Sequence, residues 1–313
     1  MSVVGAGGPP RVALLDQDGS SLLSERLSDA VRAGGGVISE VTTADAALVT
    51  SHATDEIHAA LQVNPGLAWI GLPSAGIEDF HGVIDTARIW TSAKGAYGRE
   101  VSEHALALLL GGMRGLVHYA GERRWGDPYG RSLIGGRITI VGGGDIARRL
   151  VALLTPFDVQ ITVVRRHPEP MDGVHTVRPT SDLLAALATA DAVVLALALT
   201  PETFHLIDRR ALDALPDHAW LVNVARGAHV DLDALLDAIR EGRLAGAALD
   251  VTDPEPLPEG HPIWEEPRVI VTPHVANPPG NAPRRLADQV RENVRRFAAG
   301  EPLLGVIDPS LGY

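Results

Sequence analysis

Cysteine is absent from the 313 residues, which excludes disulfides and Cys-ligated metals. A surplus of positive charge is absent too. Lys+Arg number 27 against 39 Asp+Glu, a net charge of −12, and phosphate backbones call for a basic surface, so nucleic acid is not expected as the main partner. Long apolar runs are missing. The longest, residues 192–199, is far too short to span a bilayer and suits a buried strand, so no membrane partner is expected. Residues 1–10 are small and uncharged, without the basic start and apolar core of a secretory signal, and a cytoplasmic location is expected. No internal repeat or low-complexity segment is seen. What is present is 45% hydrophobic residues, enough for substantial cores, in a length with room for two domains.

The most informative stretch is residues 137–166. Ile138-Thr139-Ile140-Val141 is a short apolar and β-branched run suited to a buried strand. Gly142-Gly143-Gly144-Asp145-Ile146-Ala147 follows at once and fits G-x-G-x-x-G/A; residues 147–154 then have helical composition, and 159–164 read as a second strand. Strand, glycine turn, helix, strand is the dinucleotide-binding unit. Gly142 permits the tight turn, Gly144 lets a pyrophosphate approach the backbone, and Ala147 lets the helix pack closely on the sheet. The free N–H groups at the helix start, around Asp145 and Ile146, face the phosphates. After the second strand comes Arg165-Arg166-His167. A carboxylate there would accept hydrogen bonds from the ribose hydroxyls, whereas arginine forks toward a 2′-phosphate, so NADP(H) is expected over NAD(H). The ordinary alternative is a solvated basic turn that touches no cofactor.

Along the rest of the chain, strands are expected at 11–15, 37–41, 46–49, 67–71 and 88–91, with helices at 22–33 and 55–63. Residues 92–98 are turn-rich and read as a hinge, and 100–124 as one long helix that packs at a domain or subunit contact. Further helices are expected at 181–189, 209–215, 231–241 and 282–299, and strands at 192–197, 220–224, 247–251 and 269–271. The fold class is therefore α/β: two Rossmann-like or flavodoxin-like domains with open parallel sheets and a cleft between them. Residues 1–97 and 283–313 would form a discontinuous substrate-binding domain, and 98–282 the dinucleotide-binding domain.

Three polar residues fall at or just beyond the C-terminal ends of expected strands, where open α/β sheets bind ligands. Arg226 lies in Asn223-Val224-Ala225-Arg226-Gly227, Glu255 in Asp250-Val251-Thr252-Asp253-Pro254-Glu255-Pro256, and His274 in Thr272-Pro273-His274-Val275-Ala276. At a 2-oxo acid, the arginine would bind the carboxylate and polarise the carbonyl, the histidine would exchange a proton with the oxygen, and the glutamate would orient the imidazole and favour its charged form. Singly, each has an ordinary reading: an exposed turn glutamate, a loop histidine bonded to backbone, a surface arginine. Joint placement after successive strands favours the chemical reading. The other histidines show no ligand spacing, and no metal is expected.

These ordered motifs, with Val230-Asp231, Leu249-Asp250-Val251, Pro256-Leu257 and His261-Pro262-Ile263-Trp264, resemble the D-isomer-specific 2-hydroxyacid dehydrogenases, which include glyoxylate and hydroxypyruvate reductases. The resemblance covers nearly the whole chain. It implies that Arg226, Glu255 and His274 are the catalytic residues and that Arg226 and His274 also touch substrate. It implies that the backbone of Ala75 and Gly76 receives the substrate carboxylate, and that Asp250 lies near the nicotinamide carboxamide. Thr200 and Thr203, in Thr200-Pro201-Glu202-Thr203, match a loop near the cofactor, and Val224, Arg226 and His274 are implied as cofactor contacts as well. Members are typically dimers through the helix matching 100–124, so a homodimer acting on a small 2-oxo or 2-hydroxy acid is expected. Ala147 stands at the third glycine of the turn, Ala198 at a usual proline, and Ser92 where many members have asparagine. Other functions on such a scaffold are a redox-sensing regulator without catalysis and an NAD-dependent phosphoglycerate-type dehydrogenase.

Overall fold

The computed structural model describes residues 8–16, 22–278 and 280–313. The chain divides into two compact units, Met1–Tyr97 with Pro278–Tyr313, and Gly98–Asn277. The return boundary lies ahead of the 282/283 division expected from the sequence. The Pro278 carbonyl already accepts the amides of Asn281 and Ala282, at 2.9 and 3.3 Å, that lead into the last helix.

The first unit opens with β1 (Arg11–Leu15), α1 (Leu22–Ala33), β2 (Val37–Ile38), β3 (Ala46–Val49), α2 (Asp55–Val63), β4 (Trp69–Gly71) and β5 (Ile89–Thr91). Its strands form one parallel sheet in the order β2-β1-β3-β4-β5. β3, in the middle, reads AALV and is buried throughout, as a parallel strand covered on both faces should be. β2 stops short of the expected residue 41. Both its residues are exposed at the sheet edge, and the Thr43 amide turns back to the Glu40 carbonyl at 3.0 Å in a short 3-10 turn.

The second unit runs through α3 (Gly98–Met113), α4 (Leu116–Gly121), β6 (Arg137–Val141), α5 (Asp145–Leu154), β7 (Gln160–Val164), β8 (Thr176–Arg178), α6 (Leu183–Leu187), β9 (Ala192–Leu195), α7 (Arg209–Ala214), β10 (Trp220–Asn223), α8 (Leu232–Arg240), β11 (Gly246–Leu249) and β12 (Val269–Val271). Its sheet is parallel, in the order β12-β11-β10-β9-β6-β7-β8. The order reverses between β6 and β9, and a ligand crevice belongs at the C-terminal ends of strands at such a switch point. The helix expected over 100–124 is two helices, because Gly115 adopts a left-handed conformation (φ 63°) between them. β8 was not expected. It has only three residues on the sheet edge, too few to show an alternation. After this unit the chain returns as α9 (Ala282–Ala299), whose Leu286, Val290, Val294 and Phe297 pack with Val12, Leu27, Val31 and Trp69 in the first unit's core. Among the described residues no helix is long and apolar enough to cross a membrane.

At the N-terminal end of the second sheet, away from the strand ends that bind ligands, three strands are pinned by one carboxylate. Asp191 accepts the Arg137 amide at 2.7 Å, the Arg137 guanidinium at 3.3 Å and lies 2.8 Å from His218 Nε2. Burial alone would raise its pKa, but the Arg137 and His218 contacts outweigh burial and hold it at about 2 against an ordinary 3.8. A depressed carboxyl pKa stabilises the fold fully above the unfolded value and ceases to do so as pH falls through the folded one. Asp191→Asn is therefore expected to destabilise the protein by about 2 kcal/mol at neutral pH. The difference from wild type should vanish in denaturant titrations as pH drops from 4 toward 2 (about the interval between the two pKa values).

Candidate active site and dinucleotide turn

The glycine turn sits at the switch point, and its three glycines meet three different surroundings. Gly142 has φ 113°, and a Cβ there would lie 2.1 Å from the Ala196 carbonyl oxygen, so the backbone just after β9 closes on the turn directly. A Cβ on Gly143 would lie 2.8 Å from Cδ and Nε of Arg165, so the arginine stem rests on the turn itself. A Cβ on Gly144 would meet nothing within 4 Å, which leaves open space in front of the first turn of α5. The N–H groups of that first turn have no intrahelical acceptor, and the helix dipole favours an anion there. Asp145 places a carboxylate at this same helix start, but its Oδ2 accepts from Arg149 Nε at 2.7 Å, which offsets the unfavourable charge. The turn thus fits a dinucleotide pyrophosphate, held by the backbone around Gly144, Asp145 and Ile146.

The loop after β9 is closed by its own threonines. The Thr200 amide donates to Thr203 Oγ1 at 2.8 Å, and the Thr203 hydroxyl donates to the Ala198 carbonyl at 3.0 Å. Glu202 in this loop is held below its ordinary pKa, first by the Thr200 hydroxyl, then by its own amide, with the Arg166 charge adding to both.

The structure places the three chemical residues after neighbouring strands of one sheet. Arg226 follows β10, and the Asn223 side chain shapes its turn: Oδ1 accepts the Ala225 amide at 3.0 Å while Nδ2 donates to the Arg226 carbonyl at 2.8 Å. Val224, next to it, is buried. Gly227 follows because a Cβ would lie 1.9 Å from the Thr252 carbonyl carbon, so the loops after β10 and β11 touch through backbone. Glu255 and His274 are brought together from the loops after β11 and β12, with Glu255 Oε1 2.5 Å from His274 Nδ1. The two side chains remain 42% and 50% exposed, so the ring is fixed on one side and open to a ligand on the other.

The His274 loop hangs on Asp250. Its carbonyl accepts the His274 amide at 2.8 Å, and His274 itself adopts a left-handed conformation, φ 51°. Its carboxylate accepts the Thr272 hydroxyl at 2.5 Å and the Val275 and Ala276 amides at 3.0 Å each. His104 of α3 adds Nε2 at 3.0 Å from Thr272 Oγ1 and 3.3 Å from Asp250 Oδ1. Burial would raise the Asp250 pKa, but these donors outweigh it and hold the group below its ordinary value, ionised at 2% exposure. Both carboxylate oxygens are thus engaged with the loop that carries His274. His104 carried no signal in the sequence, since one polar residue on an apolar helix is ordinary until its distant partners are known. Ala75 and Gly76 lie in the first unit, in a turn closed by Ser74 Oγ donating to the Gly76 carbonyl at 2.7 Å.

The family model for the NAD binding domain of D-isomer specific 2-hydroxyacid dehydrogenases matches residues 106–276. Glyoxylate/hydroxypyruvate reductase A of Photorhabdus laumondii is 32% identical over 259 residues, which is 80% of this chain and 76% of the relative. The protein of that name from Serratia proteamaculans is 34% identical over 220 residues, 69% of each chain. Among solved structures, a D-isomer specific 2-hydroxyacid dehydrogenase from Xanthobacter autotrophicus Py2, in complex with NADPH and MES, superposes with a TM-score of 0.85 at 28% identity. It covers 98% of this chain and 100% of its own.

Proposed function

The chain belongs to the D-isomer specific 2-hydroxyacid dehydrogenase family, and from that premise we propose that it reduces a small 2-oxo acid of the glyoxylate or hydroxypyruvate kind to a D-2-hydroxy acid, with NADP(H) as cofactor. The observation that carries the reading is the His274–Glu255 contact of 2.5 Å, on the same sheet end as a dinucleotide turn. The nicotinamide, when bound, supplies the hydride. With Nδ1 engaged by Glu255, His274 has Nε2 left to pass its proton to the carbonyl oxygen. Glu255 holds the tautomer and the ring direction. The Arg226 guanidinium binds the substrate carboxylate and polarises the carbonyl. The names of the two reductase relatives support the substrate class. The test is oxidation of NADPH and NADH with glyoxylate, hydroxypyruvate, pyruvate and longer 2-oxo acids; folded protein with no turnover across that panel refutes the reading.

The preference for NADP(H) is supported by Arg165, whose stem lies against Gly143, and by the NADPH in the Xanthobacter neighbour. A charge-assisted bond to the 2′-phosphate contributes about 1.5–3 kcal/mol, so one or two give roughly 10- to 10³-fold preference in kcat/KM. Arg165→Asp is expected to erase or invert that ratio at fixed oxo acid. A wild type that favours NADH, or a ratio untouched by the substitution, rejects it. We also propose a cytoplasmic homodimer. Exposed Leu116, Val117, Trp125 and Ile134 supply an apolar surface for the second copy, and light scattering tests it.

A further inference from the structure

Of the 27 Lys+Arg residues in this chain, Lys94 is the only lysine. Everywhere else a cation is needed, arginine serves. Lys94 lies in the loop after β5, at the C-terminal end of the first unit's sheet, the end at which open parallel sheets bind ligands. Its backbone is anchored from behind: its amide donates to Ser92 Oγ at 3.3 Å, and its carbonyl accepts from Gln289 Nε2 at 3.3 Å. Its side chain is solvent-accessible, with Nζ 4.8 Å above the centre of the Tyr313 ring. Among the described residues no carboxylate lies within ion-pair distance of it. The protein on the side away from solvent partly desolvates the ammonium and lowers its pKa below the ordinary 10.5. An ammonium differs from a guanidinium in being compact, and here it caps an aromatic face on a flexible stem.

The neighbouring loop supplies the second half of the argument. The Ala93 amide donates to the Ser74 carbonyl at 2.8 Å, and Tyr97 Oη donates to the Pro73 carbonyl at 3.2 Å, which joins the Lys94 loop to the 73–76 turn. Among the described residues neither the Ala75 nor the Gly76 amide meets an acceptor. A cation without an anion and two amides without an acceptor, on adjoining loops, together describe a receptor for a small oxyanion.

We propose that Lys94 binds the carboxylate of the 2-oxo acid, forming with the Ala75 and Gly76 amides an anion-binding corner that lies wholly in the first unit. This rests on the reading of the protein as a 2-oxo acid reductase. Tyr313 holds the ammonium in place by its ring face. The residue binds substrate and takes no part in proton transfer, so its loss weakens KM more than kcat.

The lone lysine makes the test direct. Reductive ¹³C-methylation, which keeps the charge, labels the α-amino group and a single side chain, and Lys94→Met identifies the second signal by its loss. Oxamate, a 2-oxo acid analogue that is not reduced, is expected to shift the Lys94 methyl signal saturably. In turnover assays Lys94→Met is expected to raise KM for glyoxylate about 10- to 100-fold, the scale of one charge-assisted hydrogen bond, with kcat changed far less. Its thermal unfolding should match wild type, since the side chain is accessible. A methyl signal unmoved by oxamate, or one that inorganic phosphate saturates at lower concentration, overturns the assignment. So does an unchanged KM in an active Lys94→Met enzyme. If wild type turns over no 2-oxo acid, the functional reading fails instead, and the oxamate titration still reports on the corner by itself.

Discussion

Alanine in place of His274 is expected to lower kcat about 10²- to 10⁴-fold, the usual scale for losing a general acid or base, with NADPH affinity close to wild type. The two effects separate because the imidazole sits after β12, while the pyrophosphate turn joins β6 to α5. The left-handed backbone at residue 274 complicates alanine alone, since a Cβ without polar side-chain contacts is mildly strained there. His274→Asn controls for this, because asparagine tolerates the conformation and carries no group able to transfer the proton near neutral pH. Both variants should lose turnover alike. Glu255→Gln should also be impaired, since an amide no longer attracts the imidazolium that forms in the oxidative direction. Near-normal kcat in the asparagine variant, with NADPH binding confirmed by fluorescence titration, would show that another group supplies the proton.

Gly142→Ala and Gly144→Ala, two residues apart in one turn, should fail in opposite ways. At Gly142 the new Cβ would meet a backbone carbonyl oxygen at 2.1 Å in a conformation already unfavourable for any side chain. Neither the carbonyl nor β9 can move without opening the sheet. The expected cost is about 3 kcal/mol or more, at the upper end for single substitutions, and it should appear in thermal unfolding with no cofactor present. At Gly144 the Cβ enters open space, so stability should be unchanged. That space is the approach to the free amides of α5, and NADPH affinity should fall steeply. A stable Gly142→Ala protein, or a Gly144→Ala protein that binds NADPH normally, contradicts the assignment of the turn.

The sequence exposes what is local. The β6 run, the glycine turn and α5 follow one another within twenty residues (roughly the size of a βα unit) and are legible from composition alone. Arg226, Glu255 and His274 stand out because each follows an apolar run that can only be a buried strand, so strand ends locate them before any contact is known. What pairs them is not local. The 2.5 Å contact joins residues 255 and 274 across two loops, and the Asp250 carboxylate engages donors from 104, 272, 275 and 276. No periodicity announces that an aspartate will hold up a neighbouring loop. Nor does it announce that a histidine on a packing helix will help. The helix break at Gly115 is not legible in the sequence because Gly111 and Gly112, just before it, stay helical, and only the left-handed φ of Gly115 separates the two helices. In the sequence Lys94 reads only as part of the turn-rich stretch 92–98, since its meaning lies in the absence of a partner.

The discontinuity of the first unit sets a timetable for the nascent chain. Ribosomes deliver β1 through β5 early, but α9, which covers Leu27, Val31 and Trp69, emerges only after residues 98–277 have been made. At about 5–20 residues per second, roughly 180 intervening residues take some 10–40 s. By the end of that interval the inserted unit has all of its strands and can fold. The earlier one is left with an apolar face open to water. Growth temperature and codon usage across the insertion therefore act on the yield of a sheet they do not encode, and chaperones that hold exposed apolar surface have their window there.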